Sequence, residues 1–284
     1  MKIIDFHVHT FPEKIAASAI QKLTSKSHTK NFTEGTINAL ANSMKEAGVN
    51  YSLLQPVATT PKQVSKINDN AVKINSEGNI TGIFSFGAIH PDFENFHDEL
   101  KRIYDLGIKG IKIHPVYQGV DIDDKRYIKI LECANEIGLA VLIHAGWDIG
   151  FPDDGKSIPK KIFNALKSSN ASKIILAHMG GWRCWKEAQK FFADFEGVYI
   201  DTAFSLGEFI SNGDGYYKSS EECKMLNDEE FLRMIKIFGS ARVIFGTDSP
   251  WASQINCVEK INSLALTDKE KSEIFYNNAL KFIF

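Results

Sequence analysis

Ile3-Ile4-Asp5-Phe6-His7-Val8-His9 decides how the chain is read. A run of strand-forming residues ends in two histidines two positions apart, and side chains two apart on a strand share one face. His7 and His9 are therefore expected side by side, with Asp5 on the same face one step earlier. Two neutral imidazoles so placed make half of a divalent-metal site. An ordinary surface pair on an edge strand has the same spelling, so the weight falls on whether strands ending in His or Asp recur.

They do recur. Short runs rich in Ile, Val and Leu lie at Ile3–Val8, Tyr51–Val57, Ile80–Ile89, Ile108–Ile113, Ala140–Ile143, Lys173–Ala177, Val198–Asp201 and Arg242–Phe245. Near-continuous apolar runs suit strands buried on both faces, as in parallel sheets. Helix-period segments lie between them: Thr36–Ala47 before Gly48, Pro61–Glu77 before Gly78, Phe93–Leu106 before Gly107, and Asp124–Ile137 before Gly138. A glycine just past the last periodic residue is a helix stop. Pro159 sits early in the next helix, and Thr267-Asp-Lys-Glu270 spells a capping box opening the last one. Eight β-then-α units without a linker or composition shift predict an α/β fold, a (β/α)8 TIM-type barrel formed as one domain over residues 1–284. A doubly wound open sheet is the runner-up, but no Gly-rich turn follows His9.

In such a barrel the strand ends share one rim. Beyond His7 and His9 they carry Lys112 and His114, His144, His178 and Asp248. An ionisable side chain buried there without a partner is costly, and a cation supplies the partner. His7, His9, His144 and Asp248 offer three imidazoles and a carboxylate, a set that suits Zn2+ and leaves room for water. The plain alternative makes each His a core residue bonded to a loop carbonyl. Trp147, Trp182 and Trp251 each follow a candidate ligand by three or four residues, and Arg183 adjoins Trp182. They suggest an aromatic wall and a carboxylate partner for an anionic or ring-bearing small molecule, unless they pack as satellite core. Trp185, Phe191, Phe192 and Phe195 recur at helical spacing and are read as core. His28 and His97 are expected to face solvent, and the facing of His90 is open. Two long connections, Thr10–Gly35 and Ala203–Asp228, rise over the same face, as lids or as disordered excursions.

The motifs Asp5-Phe-His7-Val-His9, Gly110-Ile-Lys112-Ile-His114-Pro, Leu-Ile-His144-Ala-Gly, Leu-Ala-His178-Met-Gly-Gly and Phe-Gly-Thr-Asp248-Ser-Pro-Trp occur in order along the chain. Together they resemble the amidohydrolase-related branch of the amidohydrolase superfamily, which also holds the aminocarboxymuconate-semialdehyde decarboxylases. The resemblance implies a distorted barrel with a divalent metal held by His7, His9, His144 and Asp248, and His178 acting in catalysis beside it. One zinc is expected, with manganese or a second metal as alternatives. In binuclear relatives a strand-four lysine or acid bridges two metals, and Lys112 stands at that position. Here Lys112 or His114 is expected to orient an anionic substrate group. Asp248 is expected to pass protons, and Asp5 to support the site from behind.

The first functional expectation is a metal-dependent hydrolase of a small C–N or C–O bond (amide, lactone or cyclic ester) using a metal-activated water. A non-oxidative decarboxylase of a small aromatic or dienoic acid is the alternative, and a catalytically silent binding barrel comes third. A net charge of −2 with interspersed signs gives no sign of a nucleic-acid groove or a membrane surface. No leader-like segment precedes the first strand, and the four cysteines form no Cys-x-x-Cys. Both point to a cytoplasmic protein with free thiols. A homo-oligomer is left open.

Overall fold

Alternate residues of the strands divide between two cores, and that division sets the architecture. The computed structural model describes residues 1–284. Its strands are β1 (Ile4–Val8), β2 (Tyr51–Leu54), β3 (Ile83–Ser85), β4 (Gly87–Ala88), β5 (Gly110–Ile113), β6 (Ala140–Ile143), β7 (Ile174–Leu176), β8 (Val198–Asp201) and β9 (Val243–Ile244). Ile4, Phe6, Leu53, Phe84, Leu142 and Ile175 fill the space they enclose. Ile111, Ile113, Val141, Ile143 and Leu176 point outward into the larger core shared with the helices. Phe282 packs edge-on against Phe6 and Tyr199 and closes the base.

All pairings are parallel, in the orders β1-β2-β3 and β4 through β9. β3 and β4 are halves of one barrel stave broken at Phe86, whose N–H donates to Leu54 O at 3.0 Å. The ring closes where the Phe6 N–H donates to Phe245 O at 2.9 Å, the His9 N–H to Ser249 O at 2.7 Å, and Val8 bridges Ser249. Eight staves in a closed parallel ring are the expected (β/α)8 barrel, and closure removes the open-sheet alternative.

Several helix ends fall where the sequence put them. Thr36 caps Ile37–Ala47, which stops at Gly48, and Asp124 caps Lys125–Ile137, which stops at Gly138. Pro159 opens the helix Pro159–Ser169. The Thr267–Glu270 capping box opens the final helical stretch. One helix stop differs. The helix expected to stop at Gly78 runs from Val64 to Thr81 and turns at Gly82, where φ is +73°. Ile80, expected in a strand, stands 90% exposed on that helix. Gly78 instead serves packing. A Cβ there would lie 2.4 Å from the Phe84 ring, so the glycine lets helix and strand approach closely.

A second difference bears on the site. The register of β1 on β2 shifts between Asp5 and Val8. An extra residue in a strand reverses the facing of the residues after it. Phe6 and His7 therefore both serve the inside, and Asp5 does not share the His7 face as expected. It looks outward to Gln254 at 2.7 Å and Thr247 Oγ1 at 2.6 Å.

The two long connections are ordered and joined. The first contains the helix Glu13–Ser27. Lys30 N–H donates to Ile210 O at 2.8 Å, and Asn212 N–H to His28 O at 3.0 Å. His28, expected to face solvent, is half-buried: its ring stacks on Tyr216 at 3.8 Å and its Nδ1 lies 2.7 Å from Asp214. His97 does face solvent, and His90 is buried, accepting from the Asp92 N–H.

Candidate metal centre at the barrel mouth

His7 leaves β1 pointing into the mouth, where its Nδ1 lies 2.7 Å from Asp201 Oδ2 at the end of β8. Burial pushes the Asp201 carboxyl up to about 6, so it is ionised at neutral pH and accepts. Burial, helped by the Lys112 charge, holds His7 well below the usual imidazole range, so the ring is neutral with its proton on Nδ1. The lone pair is then on His7 Nε2, the arrangement in which a carboxylate-backed histidine ligates a metal, with Lys112 Nζ 3.4 Å from it. His7 Nε2 lies 3.6 Å from Asp248 Oδ1, and His9 Nε2 lies 3.1 Å from the same oxygen. The donor atoms of His7, His9 and Asp248 fall within 4.8 Å of one another. Burial works to raise the Asp248 carboxyl, but the His9 hydrogen bond and the neighbouring imidazoles outweigh it and hold it far below the usual range. It stays a carboxylate, the form that binds a cation. This trio fits a divalent ion.

His144 stands in a second group. Its donor atom lies within 4.8 Å of those of His114 and Asp148. The His114 and His144 rings stack at 3.9 Å and 11°. His178 links the two groups: its Nε2 is 3.1 Å from His144 Nδ1, and its ring lies 5.4 Å from that of His7. His178, Met179 and Asp248 all have left-handed backbone, at φ of 60°, 55° and 69°. Such backbone in bulky residues is held against its own preference, and it clusters at functional sites.

Lys112 is buried on β5 and its Nζ lies 3.4 Å from His7 Nε2. Burial lowers its pKa to about 8, against the pull of Asp201, Asp248 and Asp148. The tryptophans pack together. Trp182, Phe204 and Phe209 form a buried cluster, with Trp147 and Trp251 packed against it. Arg183 is not brought to the imidazoles. It is exposed, lies over the Trp182 ring at 4.9 Å, and donates to Glu222 O.

Three residues with structural claims on the site escaped the sequence reading. Asp201 ends its strand just as the recognised histidines end theirs, a signal that was legible. Asp148 is four residues beyond His144 on an irregular loop, with nothing in the spelling to mark it. Trp185 packs against the helical core as expected, but its Nε1–H also donates to His178 O at 3.1 Å.

A closed parallel barrel gathering imidazoles and carboxylates at its mouth is the frame of a metal-dependent barrel enzyme. The chain belongs to the amidohydrolase family, whose model matches residues 4–284. A 2-amino-3-carboxymuconate-6-semialdehyde decarboxylase of Dictyostelium discoideum is 25% identical over 76% of this chain, and the match spans 65% of that relative's length. Among solved structures, an uncharacterized TIM-barrel protein of Bordetella bronchiseptica superposes with a TM-score of 0.75 at 15% identity, covering all of this chain and 98% of its own. A 5-carboxyvanillate decarboxylase of Novosphingobium aromaticivorans, solved with manganese and 4-hydroxy-3-methoxy-5-nitrobenzoic acid, gives a TM-score of 0.69 at 14% identity over 99% of this chain and 96% of its own. No helix is long and apolar enough to cross a membrane.

Proposed function

We propose that the chain is a metal-dependent, non-oxidative decarboxylase of a small aromatic or dienoic acid. The observation that carries this reading is Lys112, a buried ammonium whose one side-chain hydrogen-bond contact is His7 Nε2. A buried cation without a carboxylate at contact distance is costly, and an acidic substrate supplies that carboxylate. A neutral amide or lactone does not, which puts decarboxylation ahead of the hydrolysis first expected. Two relatives named as decarboxylases, one by sequence and one by fold, support the same order.

His7, His9 and Asp248 would hold the ion, manganese as in that solved relative or zinc as the imidazoles suggest. A bound divalent ion supplies a Lewis acid that polarises an oxygen of the substrate. Lys112 orients the substrate's anionic group, and the tryptophan wall covers its planar part. The reaction breaks the carbon–carboxylate bond, releases CO2 and leaves the electron pair on carbon, which takes up one proton. In this reading His178 and Asp248 relay that proton from solvent.

The test is a panel of hydroxybenzoates and dienoic acids, beside amides and lactones, given to manganese- or zinc-loaded protein. CO2 release from an acid, lost in Lys112→Met, is expected. Turnover of amides or lactones with no CO2 from any acid would restore the hydrolase reading.

A further inference from the structure

Asp5 faces outward from β1, wholly buried, and most of what it holds belongs to the segment around Asp248. Its Oδ1 accepts the Thr247 N–H at 2.9 Å and, more distantly, the His7 N–H at 3.3 Å. Its Oδ2 accepts the Thr247 hydroxyl at 2.6 Å and the Gln254 Nε2–H at 2.7 Å. A buried carboxylate needs its lone pairs answered, and here neutral donors answer them. The grip falls where the backbone most needs holding. β1 meets the chain after β9 at the seam that closes the ring, and Asp248 stands there with φ at +69°. An aspartate keeps left-handed backbone only when its neighbours fix it.

The Asp248 N–H donates to His7 O at 2.7 Å, and Asp248 O accepts the Trp251 N–H at 2.9 Å. Those bonds fix its own peptide groups. Thr247, just before it, is fixed by Asp5, and Thr247 Oγ1 also accepts the Ser249 N–H at 3.0 Å on the far side. Asp5 and Thr247 thus bracket the turn from which the Asp248 carboxylate reaches to 3.6 Å from His7 Nε2 and 3.1 Å from His9 Nε2. We propose that Asp5 is a positioning residue, which through Thr247 sets the turn that brings the Asp248 carboxylate onto His7 and His9. It acts by hydrogen bonds and not by its charge. Asparagine can therefore replace it. Its Oδ1 keeps the two N–H donors, while its NH2 meets a Thr247 hydroxyl able to turn and accept. Gln254 Oε1, buried without a partner, accepts once that amide is turned over. Alanine answers none of these donors. The proposal rests on the metal assignment made above, and not on which bond the enzyme breaks.

The test is the Zn2+ affinity of the full chain, read by competition with a fluorescent chelator, with circular dichroism to confirm folding. Asp5→Ala should weaken binding by about 10–100-fold, the range for groups that orient a ligand, and Asp5→Asn should stay within roughly threefold of wild type. Thr247→Val keeps the N–H and loses the hydroxyl, so it should weaken binding severalfold. Gly78→Ala disturbs packing at Phe84 instead and should bind zinc as wild type does. Equal weakening in Gly78→Ala would reduce Asp5 to general support of the fold and overturn the proposal. A folded Asp5→Ala within twofold of wild type also overturns it and leaves the metal assignment standing, as does an Asp5→Asn no better than Asp5→Ala. Should Asp5→Ala misfold, Thr247→Val decides by the same threshold. A wild type with no zinc affinity removes the assignment, and the positioning role with it.

Discussion

Asp201→Asn separates a carboxylate that merely fills space from one that sets a ligand's proton. Asp201 Oδ1 accepts the His178 N–H at 2.8 Å and the Ala203 N–H at 3.1 Å, while Oδ2 takes the His7 Nδ1–H at 2.7 Å. Asparagine has the same shape and can keep Oδ1 in place, but it presents an NH2 to His7. Two N–H groups cannot face each other at that distance, so His7 moves its proton to Nε2 and loses the lone pair meant for the metal. Partners of this kind are worth roughly 10–100-fold in metal affinity, or about 1.4–2.8 kcal/mol. Losing a charge-assisted hydrogen bond costs about 1.5–3 kcal/mol of stability, set against relief from burying a charge. The pH dependence has a definite sign. The Asp201 carboxyl is raised from 3.8 to about 6 on folding, so the folded chain holds the proton more tightly. That contribution is full below pH 3.8 and is lost as pH rises through 6. In metal-free melts, the wild-type margin over Asp201→Asn should therefore narrow between those values. Zinc affinity is read by competition with a fluorescent chelator. A folded Asp201→Asn protein within twofold of wild-type affinity would refute the tautomer argument.

Three further outcomes concern other parts of the barrel. Gly78→Ala should destabilise by about 1–3 kcal/mol in urea unfolding, because the new methyl meets the Phe84 ring at 2.4 Å; a gain in stability would mean the ring gives way freely. Burial works to raise Glu99, but hydrogen bonds from Arg102 and Asn68 outweigh it and hold its carboxyl below 4.5. Its contribution is present above 4.5 and lost as pH falls through the lowered value, so Glu99→Gln should cost on the order of 1 kcal/mol at pH 7 and less at pH 4 by denaturant titration; an equal cost at both would remove the ionic part. His28→Ala removes the stack on Tyr216 and the Asp214 contact that tie the two rim loops. Cleavage within residues 203–228 by a limiting protease should then accelerate severalfold while the melting temperature holds, and unchanged cleavage would show that the backbone bridge alone secures them.

Features that repeat at a fixed local period could be read from the residues alone. Apolar runs alternating with helical segments, helix stops at Gly48 and Gly138, the Thr267–Glu270 box, and strand ends spelled with His or Asp all depend on neighbours a few residues away. They were sufficient for the barrel and for most of its mouth. Contacts across the ring join residues distant in sequence, and these needed the folded chain. Strand alternation puts Asp5 on the His7 face, but a register shift against β2 adds a residue after Asp5, so His7 turns to the inside while Asp5 stays outward. Gly78 spells a helix stop, yet the Phe84 ring needs the space a side chain would take. Asp201 matters because β8 closes next to β9 and so stands near β1, 194 residues away in sequence, and Asp148 comes within reach of His144 because the loop after β6 folds back. Periodicity states which way a side chain points from its own strand, while the partner it meets is chosen by ring closure and strand register.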